Sequence, residues 1–301
     1  MDGKALNRRG AAVAAIILGI FSARAPAAPT LLPPINRAPS SLRTAGRFIW
    51  ADLFTSDVAS AGAFYAGLLN WHSAPVVFNG RTYLIMSNGD RAVAGLVERR
   101  RTADQRPAVW VGYISVRDVP GTLASVQADG GKVRAPARAF PDRGTQAILT
   151  DPEGAVVGIL ASSTGDPSDD EPAPGEWDWF ELYTRNAPSS SDFYRRVVGY
   201  EVTSDTRAGK SDHLRLASDG HPRGGVAPLA ASPDSRAGWL GFVRVESIDD
   251  AVNTAVNLGG HVEVPPKAAA LGSRFAIVSD PTGGTIGLVQ FTEGENPAER
   301  R

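Results

Sequence analysis

The stretch WADLFT at Trp50–Thr55 returns 129 residues later as WFELYT at Trp179–Thr184. The same interval separates four further pairs of landmarks: Phe64-Tyr65 and Phe193-Tyr194, Trp110–Tyr113 and Trp239–Phe242, Gly130-Gly131 and Gly259-Gly260, and Asp151–Gly154 and Asp280–Gly283. Repetition at one fixed period indicates a duplicated domain. A chemical role present in one half can therefore be kept or lost in the other.

The composition is that of a globular protein. The 301 residues are 43% hydrophobic and 21% charged, which suits two domains of ordinary size. The net charge is −1, and the absence of a basic excess argues against a nucleic-acid partner. The chain has no cysteine, which excludes disulfides, thiol nucleophiles, iron–sulfur clusters and zinc-thiolate sites.

Residues 1–28 have the pattern of an export signal. Lys4, Arg8 and Arg9 precede an apolar run at 11–23, and small residues follow. The run is shorter than the roughly 20 residues of a membrane span. We expect an exported protein, periplasmic or extracellular, with no stable membrane span once the signal is removed. An uncleaved N-terminal anchor is the alternative.

Composition also suggests the boundaries of the remaining segments. Proline, glycine and acidic residues mark two connecting stretches, and the last residues are polar. The predicted segments are a Pro/Ala-rich spacer at 29–46, a first domain at 47–161, an acidic linker at 162–176, a second domain at 177–291 and a polar tail at 292–301.

Each domain is predicted to contain two similar modules. Ser60–Leu69 has helical spacing, and Asn79-Gly80 and Asn88-Gly89 predict tight turns between three strands. This order is βαβββ, and residues 108–160 repeat it. The prediction is an α+β fold of two tandem domains, each a pair of βαβββ modules that form a cupped mixed β-sheet with helices on the outside.

These motifs resemble the vicinal oxygen chelate superfamily, which includes glyoxalase I, bleomycin-resistance proteins, fosfomycin-resistance enzymes and extradiol dioxygenases. The resemblance rests on the first strand, the Phe-Tyr helix, the Gly-Gly pair and the Asp-Pro-x-Gly turn, and it covers 47–161 and 177–291. Because its first strand carries a tryptophan at this position, the chain most resembles the tandem glyoxalase-like members. The resemblance implies the fold more than the function, because this fold hosts several kinds of enzyme and also binding proteins.

The resemblance also implies where a divalent metal would lie. A His on the first strand of each module and a Glu on the last strand would hold it and leave positions for two substrate oxygens. These positions carry Trp50, Val111 and Gly158 in the first domain, and Trp179, Leu240 and Gly287 in the second. None of these side chains ligates a metal, so we expect no cofactor.

Strand alternation predicts the walls of the two cups. Asp52 lies two residues after Trp50, and Glu181 two after Trp179, so each cup receives one acid. Each acid is a general base, a shifted ligand or a ligand anchor, or else a structural group paired with a backbone donor or an arginine such as Arg244. The predicted wall residues are Trp50, Asp52, Phe54 and Tyr113 in the first cup, and Trp179, Glu181, Tyr183, Phe242 and Arg244 in the second.

Three functions are compatible with such walls. The first is an exported glyoxalase/bleomycin-resistance-like protein that binds a small molecule without metal in one or both cups, since aromatic walls with few polar groups are typical of ligand pockets. The second is a glyoxalase-like lyase, or a hydroxylase or dioxygenase, with a non-standard site at Asp52 or Glu181. The third is a pseudo-enzyme with filled cups. The duplication already supplies four modules, which is compatible with a monomer.

Overall fold

A computed structural model describes residues 32–78, 80–99, 107–205, 213–229, 235–269 and 272–291. The predicted export signal and polar tail lie outside these residues. The first domain consists of β1 (Phe48–Thr55), α1 (Val58–Leu69), β2 (His72–Phe78), β3 (Arg81–Asn88), β4 (Arg91–Glu98), β5 (Val109–Ser115), α2 (Val119–Ala128), β6 (Lys132–Phe140), β7 (Gly144–Thr150) and β8 (Val156–Ser162).

The second domain repeats this order of elements. It consists of β9 (Trp177–Thr184), α3 (Ala187–Val198), β10 (Glu201–Ser204), β11 (Leu214–Ser218), β12 (His221–Pro228), β13 (Gly238–Arg244), α4 (Ile248–Asn257), β14 (His261–Ala268), β15 (Arg274–Ser279) and β16 (Thr285–Gln290). Asp57 and Asn186 start α1 and α3 by accepting hydrogen bonds from the amides of Ser60 and Ser189.

Each domain has one eight-stranded mixed sheet. The strand orders are β2-β3-β4-β1-β5-β8-β7-β6 and β10-β11-β12-β9-β13-β16-β15-β14. In the first sheet β1 runs parallel to β4 and antiparallel to β5, and β5 runs parallel to β8. The two modules of a domain therefore join through their first strands. The predicted α+β fold of two tandem domains with paired modules is confirmed.

The helices lie on the face of each sheet that is opposite the cup, and the two helix faces pack together. One buried cluster combines Leu53 and Phe64 of the first domain with Ile248 and Leu288 of the second. Another joins residues of α2 and α3, including Val126 and Phe193. Each domain therefore buries its helix face against the other, which leaves the two cups on opposite sides of a shared core.

β1 and β9 each have a β-bulge near their first residues, which changes the face of the sheet on which the residue before the bulge lies. The register of β1 against β5 shifts between Phe48 and Trp50, and that of β9 shifts between Trp177 and Trp179. As a result Phe48 stacks on Phe180 of the other domain, with ring centroids 4.1 Å apart. Trp50, two residues later, faces the first cup. Because of the bulge, Phe48 packs in the shared core while Trp50 faces the cup.

Candidate functional site

The predicted wall residues of the first cup lie together. Trp50, Phe54 and Tyr113 belong to one buried cluster, and Asp52 is only 3% exposed beside them. The strand register aligns Trp50 with Tyr113 and Tyr113 with Gly158, so the three form a row across β1, β5 and β8. Strand alternation predicts that these side chains face the cup together.

Asp52 is the acid of the first cup. Its Oδ1 accepts hydrogen bonds from the indole of Trp50 and from the hydroxyl of Tyr83, both at 2.8 Å. Burial raises the pKa of Asp52 above its usual range, while the positive charge of Arg143 and the hydrogen-bonding side chains of Trp50, Tyr83 and Tyr113 act in the opposite direction. Gly95 on β4 makes room for this group, since a Cβ there would overlap both Asp52 and the Tyr83 hydroxyl.

Arg143 is a fully buried charge in the same cup. Its guanidinium carbon lies 4.3 Å from the ring centroid of Trp50, which is a cation–π geometry. Its Nε donates a hydrogen bond of 2.7 Å to the carbonyl of Pro33. The terminal nitrogens of Arg143 and the hydroxyl of Tyr113 make no hydrogen bond of normal length and angle to the described residues. Arg143 interacts instead with the charge of Asp52 and with the Tyr83 hydroxyl, and the Tyr113 hydroxyl interacts with Asp52.

Residues 32–46, here called the strap, lie against the first cup and belong to the predicted spacer. Leu32 and Ile35 are buried in the same cluster as Trp50. Asn36 donates a hydrogen bond to the carbonyl of Gly165, and Ser40 donates one to the carbonyl of Asp166, both in the acidic linker. The strap therefore encloses the wall residues of the first cup.

The second cup has a similar wall but is more open. Trp179, Glu181, Tyr183 and Arg244 are all partly exposed, whereas Phe242 is buried. The indole of Trp179 donates a hydrogen bond of 2.6 Å to Oε2 of Glu181, as Trp50 does to Asp52. An indole held by a carboxylate two residues later is thus common to both cups.

Glu181 has an unusual pKa. Burial raises the pKa of Glu181 to about 7, the negative charge of Asp205 adds to the increase, and the hydrogen bond from Trp179 opposes it. Burial, followed by the charge of Glu181, raises the pKa of Tyr183 to about 12. The second cup therefore presents a carboxyl that changes charge near neutral pH beside a neutral phenol.

Arg244 is not the partner of Glu181 that one alternative predicted. Its NH1 lies 2.7 Å from Oε1 of Glu171 in the acidic linker and also donates to the carbonyl of Pro172. The guanidinium carbon is 5.5 Å from the ring of Phe291. Glu171 thus neutralises the charge of this arginine, and among the described residues the Trp179 indole is the hydrogen-bond donor to Glu181.

The residues at the implied metal positions do not fit a metal. A Cβ added at Gly158 would overlap the ring of Tyr113, and one at Gly287 would overlap the ring of Phe242. Aromatic rings therefore occupy the space that a carboxylate on the last strand would need. Among the described residues no three His, Cys, Asp or Glu side chains form a potential metal site. The four histidines start separate strands or lie just before one: His72, His213, His221 and His261.

Two residues of the first cup escaped the sequence reasoning. Tyr83 lies on β3, and Arg143 lies between β6 and β7, and neither belongs to a repeated landmark. The 129-residue interval places Gly272 opposite Arg143, so the duplication carried no signal for it. Alternation along β3 could have placed Tyr83 in the cup, because Val97 pairs with it and faces the cup.

A model of the Glyoxalase/Bleomycin resistance protein/Dioxygenase superfamily matches residues 47–159 and again 177–288. The chain belongs to this superfamily. Two members of known sequence are similar to this chain over most of its length. "Putative glyoxylase CFP32" of Mycobacterium tuberculosis is 30% identical over 245 residues, which are 80% of this chain and 93% of that protein. "Anthracycline biosynthesis protein DnrV" of Streptomyces peucetius is 28% identical over 258 residues, with 81% and 93% coverage.

Solved structures of superfamily members share the fold. The Mn(II)-bound glyoxalase from Novosphingobium aromaticivorans aligns with a TM-score of 0.55 at 20% identity, over 83% of both chains. The 2,3-dioxygenase LapB from Pseudomonas sp. KL28 aligns with a TM-score of 0.58 at 16% identity, over 85% of this chain and 96% of that one. These identities support a common architecture and nothing finer.

In the described part of the chain, no helix combines the length and the apolar character that crossing a bilayer requires.

Proposed function

We propose that this chain is an exported member of the superfamily that binds a small organic molecule without a metal ion, with the second cup as the principal site. The observation that carries the proposal is Glu181, a carboxyl held by the Trp179 indole at 2.6 Å in an aromatic wall that solvent reaches. Apolar and aromatic walls with a few fixed polar groups are typical of small-molecule sites.

The charges of the second cup favour a neutral or cationic ligand. Arg244 is already paired with Glu171, which weakens the attraction of this arginine for an anion. Glu181 can accept a hydrogen bond from a ligand hydroxyl or pair with an ammonium group. Tyr183 and Phe242 supply aromatic surface, and Phe275 lies 6.1 Å from Phe242 between ring centroids. An aromatic or alicyclic compound with a hydroxyl or amino group matches this wall.

Independence from metal rests on the side chains present. Trp179, Leu240 and Gly287 stand at the implied ligand positions, and the Phe242 ring covers Gly287. Metal analysis of the purified protein tests this directly. Manganese, iron, nickel or zinc at one equivalent per chain would overturn it.

A thermal-shift screen tests ligand binding. A compound that binds only the folded form raises the melting temperature by mass action. We expect hits with a hydroxyl or amino group to act in the presence of EDTA and to lose their effect in Glu181→Gln. The control is Tyr113→Phe, which alters only the first cup and should respond as the wild type does. A hit that persists unchanged in Glu181→Gln would remove the second cup as its site.

Acid–base catalysis by Glu181 is the second candidate function. A pKa of about 7 is close to the optimum for a group that takes and returns a proton at neutral pH. If a hit from the screen is converted, the rate should titrate near pH 7. Glu181→Gln should then abolish turnover. A rate that does not depend on Glu181 would leave binding as the function.

Export is tested by N-terminal sequencing of the protein made in its native host. We expect mature protein outside the cytoplasm that lacks the apolar run at 11–23. Intact Met1 on cytoplasmic protein would overturn export, and the apolar run on membrane-bound protein would favour the anchor instead.

A further inference from the structure

We propose that the ligand of the second cup carries a phenolic hydroxyl, which donates a hydrogen bond to Glu181 from the place that the side chain of Tyr83 fills in the first cup. The inference rests on the proposed function, because it takes the second cup as the ligand site. The two sheets share one strand order, so the first cup can be compared with the second position by position.

Strand register identifies the residue that corresponds to Tyr83. Leu84 of β3 and Leu214 of β11 are equivalent, because each lies in register with the repeated leucine of β1 or β9, two strands away. Tyr83 precedes Leu84, and His213 precedes Leu214. His213 therefore stands at the position that Tyr83 has in the first domain.

The first cup surrounds its carboxyl with donors from the protein itself. Asp52 accepts hydrogen bonds of 2.8 Å from the indole of Trp50 and the hydroxyl of Tyr83, and the hydroxyl of Tyr113 interacts with it as well. All four side chains are buried. Two of the three groups around this carboxyl are therefore phenols.

The second cup retains the indole but lacks both phenols. His213 and Phe242 stand in place of the two tyrosines. Among the described residues the donor to Glu181 is the indole of Trp179, which reaches Oε2. Because a carboxylate accepts hydrogen bonds at both oxygens, Oε1 is left for a further donor.

Two equivalent glycines show that the place of the missing hydroxyl is not filled in the same way. At Gly95 the atom nearest to an added Cβ is the hydroxyl oxygen of Tyr83, whereas at Gly225 the three nearest atoms all belong to the carboxyl of Glu181. Tyr83 is 1% exposed, but Glu181 and Trp179 are partly exposed. Solvent therefore reaches the side of the second cup that a buried phenol fills in the first.

The chemistry of the wall favours a phenol over other donors. Trp179, Tyr183 and Phe242 supply aromatic surface on which a ring can pack. A phenolic hydroxyl can donate to the ionised carboxyl and accept from the neutral one, whereas an ammonium group can only donate. The distinction matters because the pKa of Glu181 is about 7, so both forms are present at neutral pH.

The experiment titrates the full chain with p-cresol, which is the side chain of tyrosine, by isothermal calorimetry in the presence of EDTA. Its methyl ether 4-methylanisole and the cation benzylamine are the comparison compounds. We expect p-cresol to bind in a saturable way and at least about tenfold more tightly than the ether, which cannot donate a hydrogen bond to a charged group. Glu181→Gln should weaken p-cresol binding by about tenfold for the same reason.

His213→Tyr tests the proposed place of the ligand. The new side chain restores the phenol of the first cup, so it should compete with p-cresol and weaken its binding by at least about tenfold. His221→Tyr is the matched control, because His221 is exposed at the start of β12, and it should bind p-cresol as the wild type does.

Three results would overturn the inference: no saturable binding of p-cresol, equally tight binding of 4-methylanisole, or p-cresol binding that is unchanged in Glu181→Gln. If His213→Tyr does not fold, the ether and Glu181→Gln still decide. Benzylamine that binds through Glu181 while p-cresol does not would reject the phenol and leave the second cup as a ligand site. The proposed function itself fails only if no compound of the wider thermal-shift screen acts through Glu181.

Discussion

The hydroxyl of Tyr65 donates a hydrogen bond of 2.9 Å to the carboxylate of Asp280, which lies 215 residues further along the chain. The indole of Trp110 donates to the same hydroxyl at 2.9 Å. At the pseudo-equivalent junction Tyr194 donates to Asp151 at 3.4 Å. The repeated Phe-Tyr and Asp-Pro-x-Gly motifs thus meet each other across the domain boundary.

Tyr65→Phe should destabilise the protein. The change leaves the Trp110 indole and one Asp280 oxygen without this partner, and each unpaired buried group costs about 1–3 kcal/mol. We expect the free energy of unfolding in urea to fall by that order. Tyr194→Phe is the matched control and should cost less, since its bond to Asp151 is longer. An equal or larger loss in Tyr194→Phe would contradict this ranking.

Glu181 should make the protein less stable as the pH rises. Its pKa is about 7 when folded against 4.5 as its ordinary value, so the folded state holds the proton more tightly. By linkage this stabilisation is complete below pH 4.5 and is lost as the pH passes 7.

The pH profile of urea unfolding checks this expectation. Compared with the wild type, Glu181→Gln should gain about 1–3 kcal/mol of relative stability between pH 4.5 and pH 8. Tyr183→Phe serves as the control, because its phenol stays neutral over this range. Parallel profiles for wild type and Glu181→Gln would show that the carboxyl titrates normally.

Gly287→Ala should disturb the second cup. The new methyl group would overlap the ring of Phe242, and overpacking of this kind typically costs about 1–3 kcal/mol. Gly238→Ala on β13 is the control, since its added Cβ meets no atom within 4 Å among the described residues beyond its chain neighbours. Adding Phe242→Leu to Gly287→Ala should recover part of the loss. If Gly287→Ala is as mild as Gly238→Ala, the ring does not fill the implied metal position in solution.

Ile35→Ala should show whether the strap packs in solution. Ile35 is 3% exposed against the first cup, and truncating a buried isoleucine costs about 2–5 kcal/mol. Leu42→Ala in the same strap is the control, because Leu42 is 43% exposed and should matter by less than about 0.5 kcal/mol. Equal effects of the two substitutions on urea unfolding would mean that the strap is detached.

The fold followed from local rules that act within one strand or helix. The period of 129 residues predicted two domains, and alternation placed Leu53 in the shared core but Asp52 and Phe54 in the cup. Alternation fails at Phe48 because a bulge interrupts it there. The position of a bulge depends on how β1 pairs with β5, and this pairing cannot be read from the pattern of one strand.

The site was less predictable because its partners come from distant segments. Asp52 meets Tyr83 from a hairpin, and Arg143 meets Pro33 from 110 residues earlier. One alternative paired Glu181 with an arginine such as Arg244, but that arginine pairs with Glu171 of the acidic linker. Patterns within a segment fix which face a side chain occupies, whereas its partner depends on how segments cross.

Two identical chains related by a twofold axis would be obliged to have identical cups. Here a single polypeptide supplies both halves, so the axis is only approximate and the halves are free to differ. Tyr113 stands opposite Phe242, Arg143 stands opposite Gly272, and in the described part of the chain the strap packs into the first cup. Because both cups belong to one chain, one cup can be buried while the other stays exposed to solvent. The two chains of a symmetric homodimer cannot differ in this way.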